Sequence, residues 1–452
     1  MNLSANIADR LAEQAATSPE RPALVWERRG LGGRLEALTY AALQARVARL
    51  AAGFQAEGLR PGDRAIVFVP MTPDLYLVLL ALWRAGGVAI FFDPWFSAEN
   101  ARRVCETMRP SWWIAAPMAF GLLLRCRTLR SIPRRVATCR FPFGPRLHIA
   151  VLERRGAAAP AVVRAPEDMA LVTFTGGTMG APKGANRTHG FLRAQHAALE
   201  RVLGARADDV ELSHFPIFAL NALAAGRTAV LPRLDFGRPG GADARRMHAL
   251  IESARVTAVT GSPAFFDAVA GGMRRAGRIA PRVRAIFTGG GPVGGLTLER
   301  IAAAFPNAVV NVVYGSTESE PIAHIAAVEL DAAAVAETAR GGGRCVGTPV
   351  PEIRVRLMAE DREAVGAGEV WVAGAHVCGE YVGDPESNGR WKRRDAEGVI
   401  WHRTGDLARW DDRGRLWLLG RVGETAPAVG GSVAFGAVEA AAETVDGVER
   451  AA

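Results

Sequence analysis

The sequence predicts an α/β fold: a large N-terminal domain of parallel-rich sheets covered by helices, followed by a small β-rich lobe. Three observations predict it. Short apolar runs of strand length alternate with helix-length runs through the first part of the chain, which is the pattern of βαβ units. The same alternation returns between residues 256 and 313. After Gly341–Gly343 the texture changes to short strands separated by turns.

The elements follow in order. Tyr40 to Glu57 has a helical period, with Leu43, Val47, Leu50, Ala51 and Phe54 on one face. Gly58 to Gly62 is a turn, Arg64 to Val69 a strand, Asp74 to Arg84 a helix closed by Gly86–Gly87, and Ala89 to Phe92 a second strand. Arg130 to Pro166 is rich in Pro, Arg and Gly and predicts a loose segment with one strand, Leu147 to Leu152. Leu171 to Thr175 is an apolar strand. Val256 to Thr260 and Arg284 to Thr288 read as buried strands around a helix from Pro263 to Arg275, and Val309 to Val313 as another strand. Asp331 to Gly343 is a second loose boundary. Ile353 to Leu357, Gly368 to Ala373, Val399 to Trp401 and Leu416 to Leu419 are the strands of the β-rich lobe.

Composition excludes several classes. The 452 residues are 49% hydrophobic and 22% charged, which rules out a disordered, collagen-like or disulfide-scaffold chain. The net charge is +9, but the basic residues are scattered and no run of five like charges occurs, so nucleic-acid binding is not expected. Only Lys183 and Lys392 are lysines; the other 53 basic residues are arginine. Five dispersed cysteines without a C-x-x-C fit a reducing, cytoplasmic setting. The most apolar stretch, Ala65 to Phe92, is broken by Pro70, Asp74 and Arg84, so no transmembrane segment is expected, and no signal peptide is visible.

Three segments carry chemistry. In Thr175-Gly176-Gly177-Thr178-Met179-Gly180-Ala-Pro-Lys183, an apolar strand runs into a glycine loop with two hydroxyls and one lysine. Glycines let backbone N–H groups converge on an anion, and lysine adds a point charge, which is what a polyphosphate requires. The G-K-[ST] ending of a Walker A loop is absent. In Tyr314-Gly315-Ser316-Thr317-Glu318, a strand ends in a stacking ring, hydroxyls and a carboxylate suited to Mg²⁺. In His402-Arg-Thr404-Gly405-Asp406, followed by Arg421, an aspartate after a tight turn can accept ribose hydroxyls while the arginine donates to the same sugar.

In this order, over nearly the whole chain, the three segments resemble the adenylate-forming superfamily of acyl-CoA synthetases, peptide-synthetase adenylation domains and luciferases. Leu38-Thr-Tyr40, Gly62-Asp63-Arg64, Leu82 to Gly86, Asp93–Pro94, Gly289-Gly290-Gly291-Pro292 and Gly368-Glu369-Val370 are similar to further motifs of that family. The resemblance implies ATP, Mg²⁺ and a carboxylic acid as reactants, with an acyl-adenylate and pyrophosphate as products. It implies that Thr175 to Lys183 hold the β- and γ-phosphates, that Gly289–Gly291 line the adenine site, and that Tyr314, beside Gly315 and Ser316, stacks on adenine. Thr317 would bond the α-phosphate, Glu318 would bind the metal, and Asp406 and Arg421 would hold the ribose. Lys183, Thr317 and Glu318 would act directly at the reacting phosphates. The resemblance further implies residues 1–420 as the AMP-binding domain, with 344–420 as its β-rich lobe, and 421–452 as a hinge and truncated remnant of the C-terminal α+β domain.

Several positions depart from the family pattern. Gly176 and Met179 stand where Ser or Thr is usual, and Ala219 stands where many acyl-CoA synthetases have histidine. With Cys345-Val-Gly-Thr-Pro349 and Phe92-Asp93-Pro94, this most resembles the branch of olefin-pathway β-lactone synthetases and related fatty-acid ligases. The apolar run Phe215, Ile217, Phe218, Ala219 and Leu220 would suit an aliphatic acyl chain, with Gly289 beside it. Only 31 residues follow Arg421, the usual hinge pair reads Gly423–Glu424, and no lysine follows Lys392. Three outcomes remain open: transfer of the acyl group to a thiol of CoA or a carrier protein, closure of a β-hydroxy acid to a β-lactone, or ligand binding without efficient turnover.

Overall fold

Two sheets carry the helices. The computed structural model describes residues 4–28, 33–92, 97–158, 160–175, 182–235, 237–360, 362–428 and 431–451. The smaller sheet orders its seven strands Leu147–His148, Arg134–Ala137, Trp112–Ala115, Arg64–Phe68, Val88–Phe91, Met169–Thr175 and Lys183–Thr188. All pairs are parallel except the last, in which Thr175 lies opposite Lys183. The helix Pro73–Arg84 is buried along Leu75 to Trp83, as its nearly uninterrupted apolar run requires, and Gly86 at φ +84° turns the chain back into the sheet.

The larger sheet begins at Leu35–Thr39 and Pro22–Glu27. It continues through the parallel strands Thr228–Leu231, Val210–Ser213, Ala258–Gly261, Ala285–Gly289 and Val309–Ser316. It then turns antiparallel through Ser319–Ala326 and Arg344–Pro349, and runs on into Leu416–Arg421, Ile400–Trp410, Ala367–Gly374 and Ile353–Ala359. The strands of the β-rich segment are thus hydrogen-bonded to the parallel part through Arg344–Pro349. Tyr40 ties the beginning of the chain to this sheet: fully buried, its hydroxyl donates to the Arg227 carbonyl at 2.7 Å. Thr39 caps the helix Tyr40–Ala56 by accepting from the Ala42 N–H.

Three expectations are corrected. Leu147 to Leu152 is a strand only over Leu147–His148; Ile149–Arg155 is a helix. Its Leu152 lies so close to Gly53 that a Cβ there would meet the Leu152 carbonyl oxygen at 2.3 Å, so helix packing, not sheet pairing, organises the segment. Asp331 to Gly343 is not loose: Asp331 accepts from the Ala334 N–H at 2.8 Å and caps an alanine-rich helix, Ala332–Ala339. Thr404-Gly405-Asp406 is not a turn between strands. It is a bulge inside the long strand Ile400–Trp410, because these residues fall between the partner pairs Trp371–Arg403 and Glu369–Leu407. Gly405, at φ +76°, makes the bulge possible.

Candidate active site

A hairpin presents the central residues. The strands Val309–Ser316 and Ser319–Ala326 pair antiparallel with Ser316 opposite Ser319, so Thr317–Glu318 form a two-residue tip. Ser316 supports the tip by accepting from the Glu318 N–H at 3.3 Å. On one side of the tip, the Tyr314 hydroxyl donates to Asp406 Oδ2 at 2.6 Å, and Arg421 Nη1 donates to Asp406 Oδ1 at 2.6 Å. Asp406 and Arg421 face each other across neighbouring strands. The bulge therefore places one carboxylate between a ring and a guanidinium. Burial, reinforced by the adjacent Asp406 charge, drives the Tyr314 phenol far above its ordinary pKa, which keeps it a hydrogen-bond donor.

On the other side, the Tyr381 hydroxyl donates to Glu318 Oε1 at 2.8 Å. Tyr381 belongs to a strap, residues 377–382, that bridges the two sheets. Val377 pairs with Ser319 and Tyr381 with Ala185. The Cys378 N–H donates to the Glu318 carbonyl at 2.7 Å, and the Val382 N–H to the Gly184 carbonyl at 2.9 Å. Arg187, also buried, reaches from the strand Lys183–Thr188 and donates to the Thr317 carbonyl at 2.6 and 3.1 Å. The foot of the glycine loop and the hairpin tip are thereby fixed to one another.

Both lysines of the chain enter this region. Lys183 Nζ lies 4.4 Å from the Trp391 ring centroid and 5.7 Å from that of Tyr381. Lys392 Nζ donates to the Cys378 carbonyl at 2.5 Å and lies 4.7 Å from the Tyr381 ring centroid. Burial lowers the pKa of both ammonium groups. Burial also raises the Glu318 carboxyl, but His402, the Tyr381 hydroxyl and Lys392 outweigh it and hold the group below its ordinary value. His402 itself is pushed down to about 3, by burial and by Lys392, so it is neutral at pH 7. Stabilisation of the Glu318 carboxylate there falls to Tyr381 and Lys392.

The expected site residues divide accordingly. Tyr314, Gly315, Ser316, Thr317, Glu318, Lys183, Asp406 and Arg421 come together. Gly289 ends its strand so close to the next that a Cβ would meet the Val313 carbonyl oxygen at 2.3 Å; Gly290, at φ +77°, faces Phe215, and Gly291 is open. Phe215 and Phe218 lie in one apolar cluster with Tyr314 and Val313. Ala219 does not join them. Its position on the helix Pro216–Ala224 turns it into the core with Leu75, Leu79 and Leu223. Thr175 closes its strand, whereas Gly176 to Gly180 and Asp93–Pro94 lie outside the described residues. Lys183 is held at the edge of the loop by the Trp391 ring. Sequence reasoning missed Tyr381, Arg187, Trp391 and the placement of Lys392; the rarity of lysine is the signal that could have found Lys392.

Among the described residues, no group of three or more His, Cys, Asp or Glu is arranged to hold a metal ion. Glu318 alone suits Mg²⁺, which commonly takes one or two carboxylates and draws its other oxygens from water and substrate phosphates.

This arrangement, a ring beside a carboxylate–arginine pair and a carboxylate near two ammonium groups, fits an adenylate-forming ligase. The chain belongs to the AMP-binding enzyme family, whose pattern matches residues 11–382. It is 34% identical to the olefin beta-lactone synthetase of Stenotrophomonas maltophilia, over 100% of this chain and 85% of that one. Its fold is similar to a long-chain-fatty-acid-CoA ligase of Archaeoglobus fulgidus (TM-score 0.78, 21% identity, 92% of this chain and 84% of that one). It is also similar to the O-succinylbenzoate coenzyme A synthetase of Bacillus subtilis in complex with ATP and magnesium ion (TM-score 0.75, 20% identity, 94% and 81%). Enzymes of the family use ATP and Mg²⁺. Among the described residues no helix is long and apolar enough to cross a membrane.

Proposed function

We propose that the chain joins an aliphatic carboxylic acid to the α-phosphorus of ATP. A carboxylate oxygen forms a bond to that phosphorus, the bridging P–O bond to the β-phosphate breaks, and pyrophosphate leaves; no proton needs to move. The observation that carries this reading is the convergence of Asp406, held by Tyr314 and Arg421, with Glu318, held by Tyr381, across one hairpin. Asp406 would accept the ribose hydroxyls with its remaining lone pairs, and Tyr314 would stack on the base. Thr317 would bond the α-phosphate, and Lys183 the phosphates beyond it. Mg²⁺, when bound at Glu318, would offset charge as two anions approach. Because the reaction joins anions, positioning and charge neutralisation supply most of the catalysis, and no protein nucleophile is required.

The aliphatic character of the acid rests on Phe215, beside Gly290, and on Phe218, whose ring lies against that of Phe215. It rests also on a cavity of about 40 Å³ behind the helix Pro216–Ala224, where Leu80, Trp83 and Leu220 line an apolar wall and Arg10, Gln195, His196 and Asn221 add polar groups. Acid-dependent exchange of labelled pyrophosphate into ATP, across saturated and 3-hydroxy acids of graded length, tests the reading.

A second reading concerns the fate of the adenylate, and the similarity to a β-lactone synthetase along the whole chain favours it. In a β-hydroxyacyl-adenylate the hydroxyl oxygen attacks the acyl carbon, AMP leaves as the C–O bond breaks, and the hydroxyl proton passes to solvent. Release of β-lactone and AMP without any thiol would support this. A strict requirement for CoA or a carrier-protein thiol would support thioester formation instead. The five free cysteines fit a reducing compartment such as the cytoplasm.

A further inference from the structure

Lysine is nearly absent from this chain, yet its two lysines meet at one tyrosine. Lys392 is the less expected of them. It is half-buried on a short strand whose backbone pairs with His402, and among the described residues no carboxylate lies within ion-pair distance of it. A desolvated ammonium without a paired acid is costly and needs compensation. Two contacts supply it: the Cys378 carbonyl at 2.5 Å and the face of the Tyr381 ring, 4.7 Å from its centroid. Both contacts are on the strap, and both lead to the same acid. The Cys378 N–H holds the Glu318 carbonyl, and the Tyr381 hydroxyl holds Glu318 Oε1. A cation over a phenol ring draws density from it and makes its hydroxyl a stronger donor. Arginine, the default basic residue of this chain, is a planar fork and not a compact point charge.

We propose that Lys392 is a positioning residue for the nucleotide site: acting through the Cys378–Tyr381 strap, it fixes the rotamer of Glu318 so that the second carboxylate oxygen, Oε2, is presented to the metal of Mg²⁺–ATP. The inference rests on the ATP-binding reading above and adds a residue and a route to it. The contacts of Lys392 are to the strap, so its proposed action on the nucleotide site is indirect.

The experiment is a calorimetric titration of ATP into the full chain, once with excess Mg²⁺ and once with EDTA. It compares the unaltered protein with Lys392→Met, Tyr381→Phe and the double variant. Tyr381→Phe keeps the ring and its packing, so it reads the route even where Lys392→Met lowers stability. The expected result is that each single variant loses about tenfold of the affinity that Mg²⁺ adds. Affinity in EDTA should stay within about twofold of the unaltered protein, and the double variant should lose no more than the worse single one, because both changes cut one chain of contacts. An unchanged Mg²⁺ increment in either single variant would overturn the proposal. So would equal losses in EDTA and Mg²⁺, or additive losses in the double variant. Failure of the unaltered protein to bind ATP at all would overturn the underlying reading and this inference with it.

Discussion

Asp406 serves two neighbours at once. One oxygen receives the Tyr314 hydroxyl and the other the Arg421 guanidinium. Asp406→Ala should therefore weaken ATP binding through loss of the proposed ribose contact and through release of the ring. Loss of a charge-assisted pair of hydrogen bonds costs about 2–3 kcal/mol, roughly 30- to 150-fold in affinity by calorimetry. An unaltered affinity would remove Asp406 from the site. Lys183 is expected to act on the nucleotide more than on the fold, but its contact with Trp391 alters the expectation for stability. Lys183→Ala should cost the apo protein about 0.5–1 kcal/mol, the worth of a partly exposed cation–π contact. It should remove most of the stabilisation that ATP confers in a melting experiment. A large apo loss with the ATP response preserved would make Lys183 structural. At this scale the sequence was most legible where residue type and chemistry coincide, as at Glu318 and Asp406. It was silent about Tyr381, because a single tyrosine after Gly379–Glu380 carries no pattern; only the fold brings it to Glu318.

Elements were legible where periodicity and caps agree. The helix Pro263–Arg275, with Ser262 as its cap, matches the expected bounds, and the strands around it fall within a residue or two of theirs. The errors have separate physical causes. In Leu147–Leu152 the six residues are too few to separate a strand from a helical turn, and the decisive contact, with Gly53, lies about a hundred residues away. At Thr404–Asp406 a tight turn was expected, but the positive φ of Gly405 serves a bulge within a strand instead. The helix Ala332–Ala339 was hidden by its composition, since alanine gives no apolar stripe to detect. The close approach at Gly289 belongs to this scale. Gly289→Ala would drive a Cβ against the Val313 carbonyl oxygen, and backbone cannot yield as a side chain does. Strand separation there should cost about 1–3 kcal/mol in chemical denaturation and displace Tyr314 on the adjoining strand. A variant as stable as the parent, with unchanged ATP affinity, would show that the strands can part at no cost. On the helix Pro216–Ala224, Leu220→Trp should fill the adjoining cavity and shift exchange activity towards shorter acids. An unchanged chain-length profile would exclude that cavity from acyl binding.

For the whole molecule, buried histidines set an acid limit. Burial pushes His189 and His214 down to about 4 and His402 down to about 3. His189 agrees with this geometrically, since its Nδ1 accepts the Ile7 N–H and must be unprotonated to do so. Each folded-state pKa lies below the unfolded value of about 6.5, so the unfolded chain binds protons first. Their contribution to stability is complete above pH 6.5 and is lost as pH falls towards 4 or 3. Each histidine should cost about 2 kcal/mol by pH 5, at about 1.4 kcal/mol per pH unit. Denaturant midpoints recorded from pH 7.5 to pH 5 should fall steadily, and His189→Gln should make the decline shallower. A flat profile would mean that these rings titrate in the fold as they do in the unfolded chain.

The two sheets meet at the site through the strap and the hairpin, and that meeting is what the adenylation reading depends on. The measurement that tests it most directly is pyrophosphate exchange, because it reports reversible formation of the acyl-adenylate whatever acceptor follows. Label should enter ATP only when an aliphatic acid is present, and exchange should be sharply reduced in both Glu318→Gln and Asp406→Ala. Absence of exchange with every acid of the panel, in a preparation that binds Mg²⁺–ATP, would contradict it.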